Sequence, residues 1–161
     1  MPETMMSKAS PTLDQRRANH AWEAIQRILK EYPVRIVNEN GKQKKVPHEQ
    51  AKRYGGQAKK LPTRIMAAGL GQALAFLQAK DYAPDLLVAI SDWVLIKRPK
   101  PDDKTGPPLA KEEANLKKSL IEGIVKGDSN FLRRATDEVL AYLVWLNRFA
   151  EAEGLTEGEE G

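Results

Sequence analysis

No cysteine occurs among the 161 residues, and histidine occurs only twice, as His20 and His48. The missing thiols exclude disulfides, thiolate metal sites and cysteine nucleophiles. Two histidines with no supporting acidic pattern do not make a zinc site. His48-Glu49-Gln50-Ala51-Lys52 starts like a zincin helix, but lysine stands where the second histidine belongs. Aromatic residues are 6% of the chain, and the longest apolar run, Val139 to Leu146, is under half the ~20 residues a membrane helix needs. The phosphate-loop pattern and the Gly-x-Ser-x-Gly nucleophile elbow are both absent. Gly69-Leu70-Gly71-Gln72-Ala73-Leu74 resembles the opening of a dinucleotide fingerprint, yet Leu74 replaces its third glycine and no strand precedes it. Asp102 and Asp103 lie on a proline-rich loop, a poor platform for a positioned acid and base. The expectation is a protein that is not an enzyme, holds no metal and needs no cofactor.

Hydrophobic residues make up 41% and charged residues 30%, the balance of one globular unit with a heavily solvated surface. The stretch MPETMMSKASP lacks a cationic segment followed by an apolar one, so a cytoplasmic location is expected. Net charge is +4 and unevenly spread. Between Gly41 and Arg64 stand Lys42, Lys44, Lys45, Lys52, Arg53, Lys59, Lys60 and Arg64 against Glu49 alone, while the charges of Glu151 to Gly161 are all acidic. Such a basic block is either a solvated surface or a polyanion site.

The periodicity predicts an all-α, single-domain bundle of about five to seven helices over 12–153. A disordered lead over 1–11 precedes it and an acidic flexible tail over 154–161 follows. Thr12 and Gln15 form a capping box, opening a helix that ends before Pro33. Residues 34–46, with the turn signal Asn-Glu-Asn-Gly, leave room for a minor β-hairpin. A short helix from Pro47 is expected to meet Gly55-Gly56 and stop. Further helices are expected over 81–96, after Pro84, and over 109–126. The last, 130–153, is capped by Asp128 or Ser129. His20 falls on a polar face of the first helix. On the last helix Leu132, Ala135, Val139, Tyr142, Leu143, Leu146 and Ala150 form the inward stripe. Val144 and Trp145 lie off that stripe, either covered by another helix or presented to a partner.

Leu61 to Lys80 reads as a 20-residue helical pattern carrying two glycines, each costing about 1 kcal/mol against alanine in a helix interior, so either the helix breaks at Gly69 to Gly71 or something approaches the backbone closely there. In a continuous helix Gly69 falls on the core side with Leu61, Ile65, Met66, Ala73, Phe76 and Leu77. Gly71 falls opposite, on a strip of Ala67, Ala68, Ala75 and Gln78 edged by Lys60 and Arg64. That strip suits either a neighbouring helix or a sugar-phosphate chain.

Three segments, TLDQRRANHAWEAIQ (12–26), KKLPTRIMAAGLGQALAFLQAK (59–80) and FLRRATDEVLAYLVWLNRFAEAE (131–153), resemble the small helical subunit of the type III-B (Cmr) CRISPR effector complex. The resemblance implies an all-helical, non-catalytic scaffold whose copies stack into a minor filament beside the backbone subunit that holds the guide RNA. Its implied partners are the other complex subunits, including copies of itself, together with guide and target RNA. Arg16, Arg17, Lys59, Lys60, Arg64, Arg133 and Arg134 lie inside the matching segments and become candidates for RNA contact. Gly71, Ala75, Val144 and Trp145 become candidates for subunit contact. The cations of 42–45 and 97–104 fall outside those segments. A pure protein-interaction scaffold without RNA contact is the alternative.

Overall fold

The computed structural model describes residues 9–103, 106–110 and 114–156. Among these are six α-helices and one hairpin: α1 (Leu13–Glu31), β1 (Arg35–Glu39), β2 (Lys42–Val46), α2 (Glu49–Ala68), α3 (Leu70–Lys80), α4 (Pro84–Asp92), α5 (Ala114–Lys126) and α6 (Ser129–Ala152). The all-α reading with a minor hairpin holds. The Thr12 hydroxyl accepts from Gln15 N while Gln15 Oε1 accepts from Thr12 N, closing the predicted capping box. Asp128 caps α6 by accepting from Phe131 N at 2.8 Å. Asn40 and Gly41 both take positive φ, the geometry a two-residue hairpin turn demands.

The core forms where α1 lies along α6 and α2 packs on both α3 and α6, with α4 against α5. Ile25, Tyr54, Leu61, Leu74, Leu86, Ile90, Trp93, Tyr142 and Leu146 are buried at its centre. Among the described residues no helix is long and apolar enough to cross a membrane.

The expected stop at Gly55-Gly56 does not occur, whereas the glycine pair of 61–80 does mark a break. Helix α2 runs straight through Gly55, Gly56 and Pro62. A Cβ on Gly55 would stand 2.6 Å from the carbonyl oxygen of Leu155, so this glycine admits the chain beyond α6. Leu155 is buried, and its N–H donates to Ala150 O at 2.9 Å, which extends the packed structure to Thr156. Residues 157–161 of the expected tail, and 1–8 of the expected lead, lie outside the described residues.

The break comes at Gly69, whose φ of 89° and ψ of 160° are open essentially to glycine alone. Gly69 is exposed and a Cβ there would meet nothing within 4 Å. The restart shifts the helical phase. Phe76, expected inside, is exposed beyond the restart, and Met66, before the break in the last turn of α2, is exposed as well.

After α4 the chain widens into one π-helical turn, Trp93–Lys97, where the sequence predicts an α-helix continuing to 96. Such a turn widens the spacing of successive side chains and is frequent at functional or strained positions. Here it aims Trp93 and Lys97 inward.

Candidate nucleic-acid interface

The two arginines of α1 are held internally. Arg17 Nη2 donates to Glu138 Oε1 at 2.9 Å, its Nε reaches Glu138 Oε2, and Nη1 pairs with Asp14 at 2.7 Å. Glu138 also accepts from Trp93 Nε1 and Arg98 Nε, both at 2.8 Å. Burial alone would raise its pKa, but the donors Arg17, Trp93 and Arg98 outweigh that and hold it below the ordinary glutamate value. Arg16 donates through Nη2 to the Lys97 and Arg98 carbonyls, ending the π turn, while its guanidinium lies 5.6 Å from the Trp93 ring centre. These expected RNA contacts therefore tie α1 to the π turn and to α6.

Beside them lies a buried polar chain built on His20, which the sequence reading placed on a polar helix face. His20 is 4% exposed. With Asp92 Oδ2 as the acceptor, His20 Nε2–H donates to it at 2.8 Å and Nδ1 accepts from the Tyr142 hydroxyl at 2.7 Å. Lys97 Nζ donates to the same Asp92 oxygen at 2.8 Å. Burial lowers the His20 pKa, opposed in part by Asp92, and burial likewise raises that of Tyr142. A cleft of ≈ 690 Å³ opens above, lined by Arg16, His20, Trp93 and Lys97, with Glu23, Asp102 and Asp103 offsetting the cations. The legible signal was Glu138, a carboxylate beside the apolar stripe of α6 one turn from Tyr142.

The remaining candidate cations sit on α2 and α6. Lys59 is exposed and Lys60 half-buried. Arg64 donates to Gln57 Oε1 at 2.7 Å, and its guanidinium lies 4.5 Å from the Phe76 ring centre, with Lys80 Nζ 5.5 Å from the same ring. This cation and aromatic cluster, joined by Phe76 and Lys80, spans the break at Gly69 between α2 and α3. Arg133 and Arg134 are exposed, Arg133 bonding Asn130 Oδ1 at 3.1 Å.

The candidate subunit contacts divide. Ala75 is exposed, as are Ala67, Ala68 and Gln78. Gly71 is not part of an open strip: a Cβ there would lie 3.3 Å from Ile124 Cγ2 of α5, so it serves internal packing. The two glycines thus exchange the roles a continuous helix implied. Val144 is 61% exposed. Trp145 folds back, donating from Nε1 to Asp14 Oδ1 at 3.1 Å and stacking on Phe149 at 5.8 Å. Of the 97–104 cations, Lys97 and Arg98 are bound to Asp92 and Glu138. Lys104 lies outside the described residues. Among the described residues no three His, Asp or Glu side chains form a cluster able to hold a metal ion.

Comparison with solved structures matches this fold to the X-ray crystal structure of a CRISPR-associated Cmr5 family protein from Thermus thermophilus. The match has a TM-score of 0.60 and 24% identity over 91% of this chain and 100% of that one. No curated protein gave a significant match. The family profile of the CRISPR-associated protein Cas_Cmr5 matches residues 13–153, nearly the whole helical unit, and the chain therefore belongs to the Cmr5 family of the type III-B Cmr complex.

Proposed function

We propose that this chain is a non-catalytic structural subunit that stacks with its own copies and the backbone subunit in the cytoplasmic type III-B complex and supports guide and target RNA strands there. One observation carries the RNA reading. Lys59, Arg133 and Arg134 are exposed, lie in the segments that resemble the family, and have no carboxylate partner among the described residues. An RNA duplex presents phosphates and 2′-hydroxyls with little readable sequence, so its support is basic and indifferent to sequence.

The test replaces Lys59, Arg133 and Arg134 together by glutamine and measures RNA affinity against salt. Each lost phosphate contact lowers the log–log slope by about 0.7 on single strands, so the triple variant is expected to lose about 2. An unchanged slope rejects the assignment.

The protein-interaction alternative draws on Val144 and on the exposed Ala67, Ala68 and Ala75, which let a backbone approach closely. It is favoured if the triple variant leaves RNA protection intact while Val144→Glu abolishes assembly.

A further inference from the structure

Among the described residues, the hairpin has almost no interior. Every residue of β1 and β2 except Val46 is exposed, Ile36 to 62%. An isolated two-stranded hairpin is marginal in water, so its persistence depends on its anchoring and its occupant. The anchor is visible: Tyr32, after α1, and His48, which caps α2 by accepting from Gln50 N at 3.0 Å, meet with ring centres 5.0 Å apart. That contact clamps the base of the ribbon and projects it from the bundle.

The register determines what the ribbon presents. Arg35 pairs with Val46, Val37 with Lys44 and Glu39 with Lys42, so Arg35, Lys42 and Lys44 share one face, while Lys45 opposite Ile36 occupies the other. Four cations thus face one anion over ten residues. No ion pair among the described residues engages Arg35, Lys42, Lys44 or Lys45. Lys42 and Lys44, two residues apart on one strand, stand about 7 Å from each other, close to the spacing of successive phosphates. Ribbon-to-ribbon pairing with a second copy would set these charges against their like, and edge lysines are a common guard against that pairing. The complementary occupant is a polyanion.

Resting on the RNA-supporting role proposed above, we infer that the β1–β2 ribbon is a second RNA-contacting element, separate from Lys59, Arg133 and Arg134, whose Arg35, Lys42, Lys44 and Lys45 grip the phosphate backbone. The test uses the full-length chain, a 20-nucleotide single-stranded RNA and its duplex, and the triple variant Lys42→Gln, Lys44→Gln, Lys45→Gln. Because these side chains lie outside the core, far-ultraviolet circular dichroism and the melting temperature are expected to stay as in the parent. The slope of log affinity against log salt is expected to fall by about 2 on the single strand, and the corresponding triple arginine variant is expected to keep it. A slope unchanged by the glutamine variant, in a parent that binds RNA, overturns the ribbon assignment alone. The same unchanged slope with loss of the chain from the assembled complex shows that the occupant is an acidic protein face, and also overturns it. A parent chain with no salt-dependent RNA binding removes the reading on which both proposals rest.

Discussion

Asn147 Nδ2 donates to the backbone carbonyl of Ala58 at 3.0 Å, joining α6 to the middle of α2. Pro62 explains the bond. Proline has no N–H, so the carbonyl four residues earlier loses its helical partner, and an interior proline ordinarily kinks or ends a helix. Asn147 supplies the missing donor from another helix, and α2 continues to Ala68.

Asn147→Leu is expected to destabilise the fold by about 1–2 kcal/mol, the cost of a buried acceptor left without a donor. In a Pro62→Ala background the loss is expected to shrink, because the substituted alanine regains the N–H that satisfies the Ala58 carbonyl. A double-mutant cycle by urea denaturation measures the coupling, and additive effects would sink the explanation.

Glu138→Ala removes the acceptor shared by Arg17, Trp93 and Arg98. Breaking a buried pair by deleting one partner costs about 3–5 kcal/mol, and the expected result is a loss in that range with the α1 to α6 packing loosened. Hydrogen exchange should report it first in amides of α1. Glu138→Gln keeps the volume and is expected to lose less.

Acid is expected to weaken the fold in two steps. The His20 pKa is lowered in the folded state, so below the ordinary histidine value of 6.5 the unfolded chain takes up a proton that the folded one refuses. Stability is therefore complete above that value and falls with decreasing pH below it. Glu138 is also lowered, and its contribution disappears below the ordinary glutamate value of 4.5 as pH falls towards its folded pKa. Melting temperatures should fall between about pH 7.5 and 5.5 in the parent and respond less in His20→Gln. An equal response in both would show that another group titrates.

The glycines are expected to separate by mechanism. Gly55→Ala forces a Cβ to within 2.6 Å of Leu155 O, an overpacking worth about 1–3 kcal/mol, and should make the C-terminal segment sensitive to carboxypeptidase. Gly69→Ala meets no neighbour but carries backbone strain of about 1–3 kcal/mol, and should leave that segment protected. Protease resistance of the Gly55 variant would contradict the packing role.

Much of the fold is legible because its signals are local. The Thr12 box, the stop before Pro33, the Asn-Gly turn and the period of α6 each depend on residues within a few positions of one another. The break between α2 and α3 is not legible in the same way, because glycine and proline are ambiguous: Gly55 answers to Leu155, Pro62 to Asn147, and Gly71 to Ile124, all distant in sequence. Of the glycines in α2, α3 and the break between them, Gly69 acts through its own dihedral angles.

The candidate site is legible as a set of cations and not as a surface. Sequence alone determined the all-helical class, the uneven charge and the family resemblance, since composition, periodicity and local motifs are written along the chain. Tertiary structure alone decided which cations remain available. Arg17 meets Glu138 across 121 positions and Arg16 meets Lys97 across 81, and those contacts engage two candidates while Lys59, Arg133, Arg134 and the hairpin lysines stay in solvent. An ion pair is a matter of distance in space, which helical phase cannot predict once a glycine such as Gly69 has reset it.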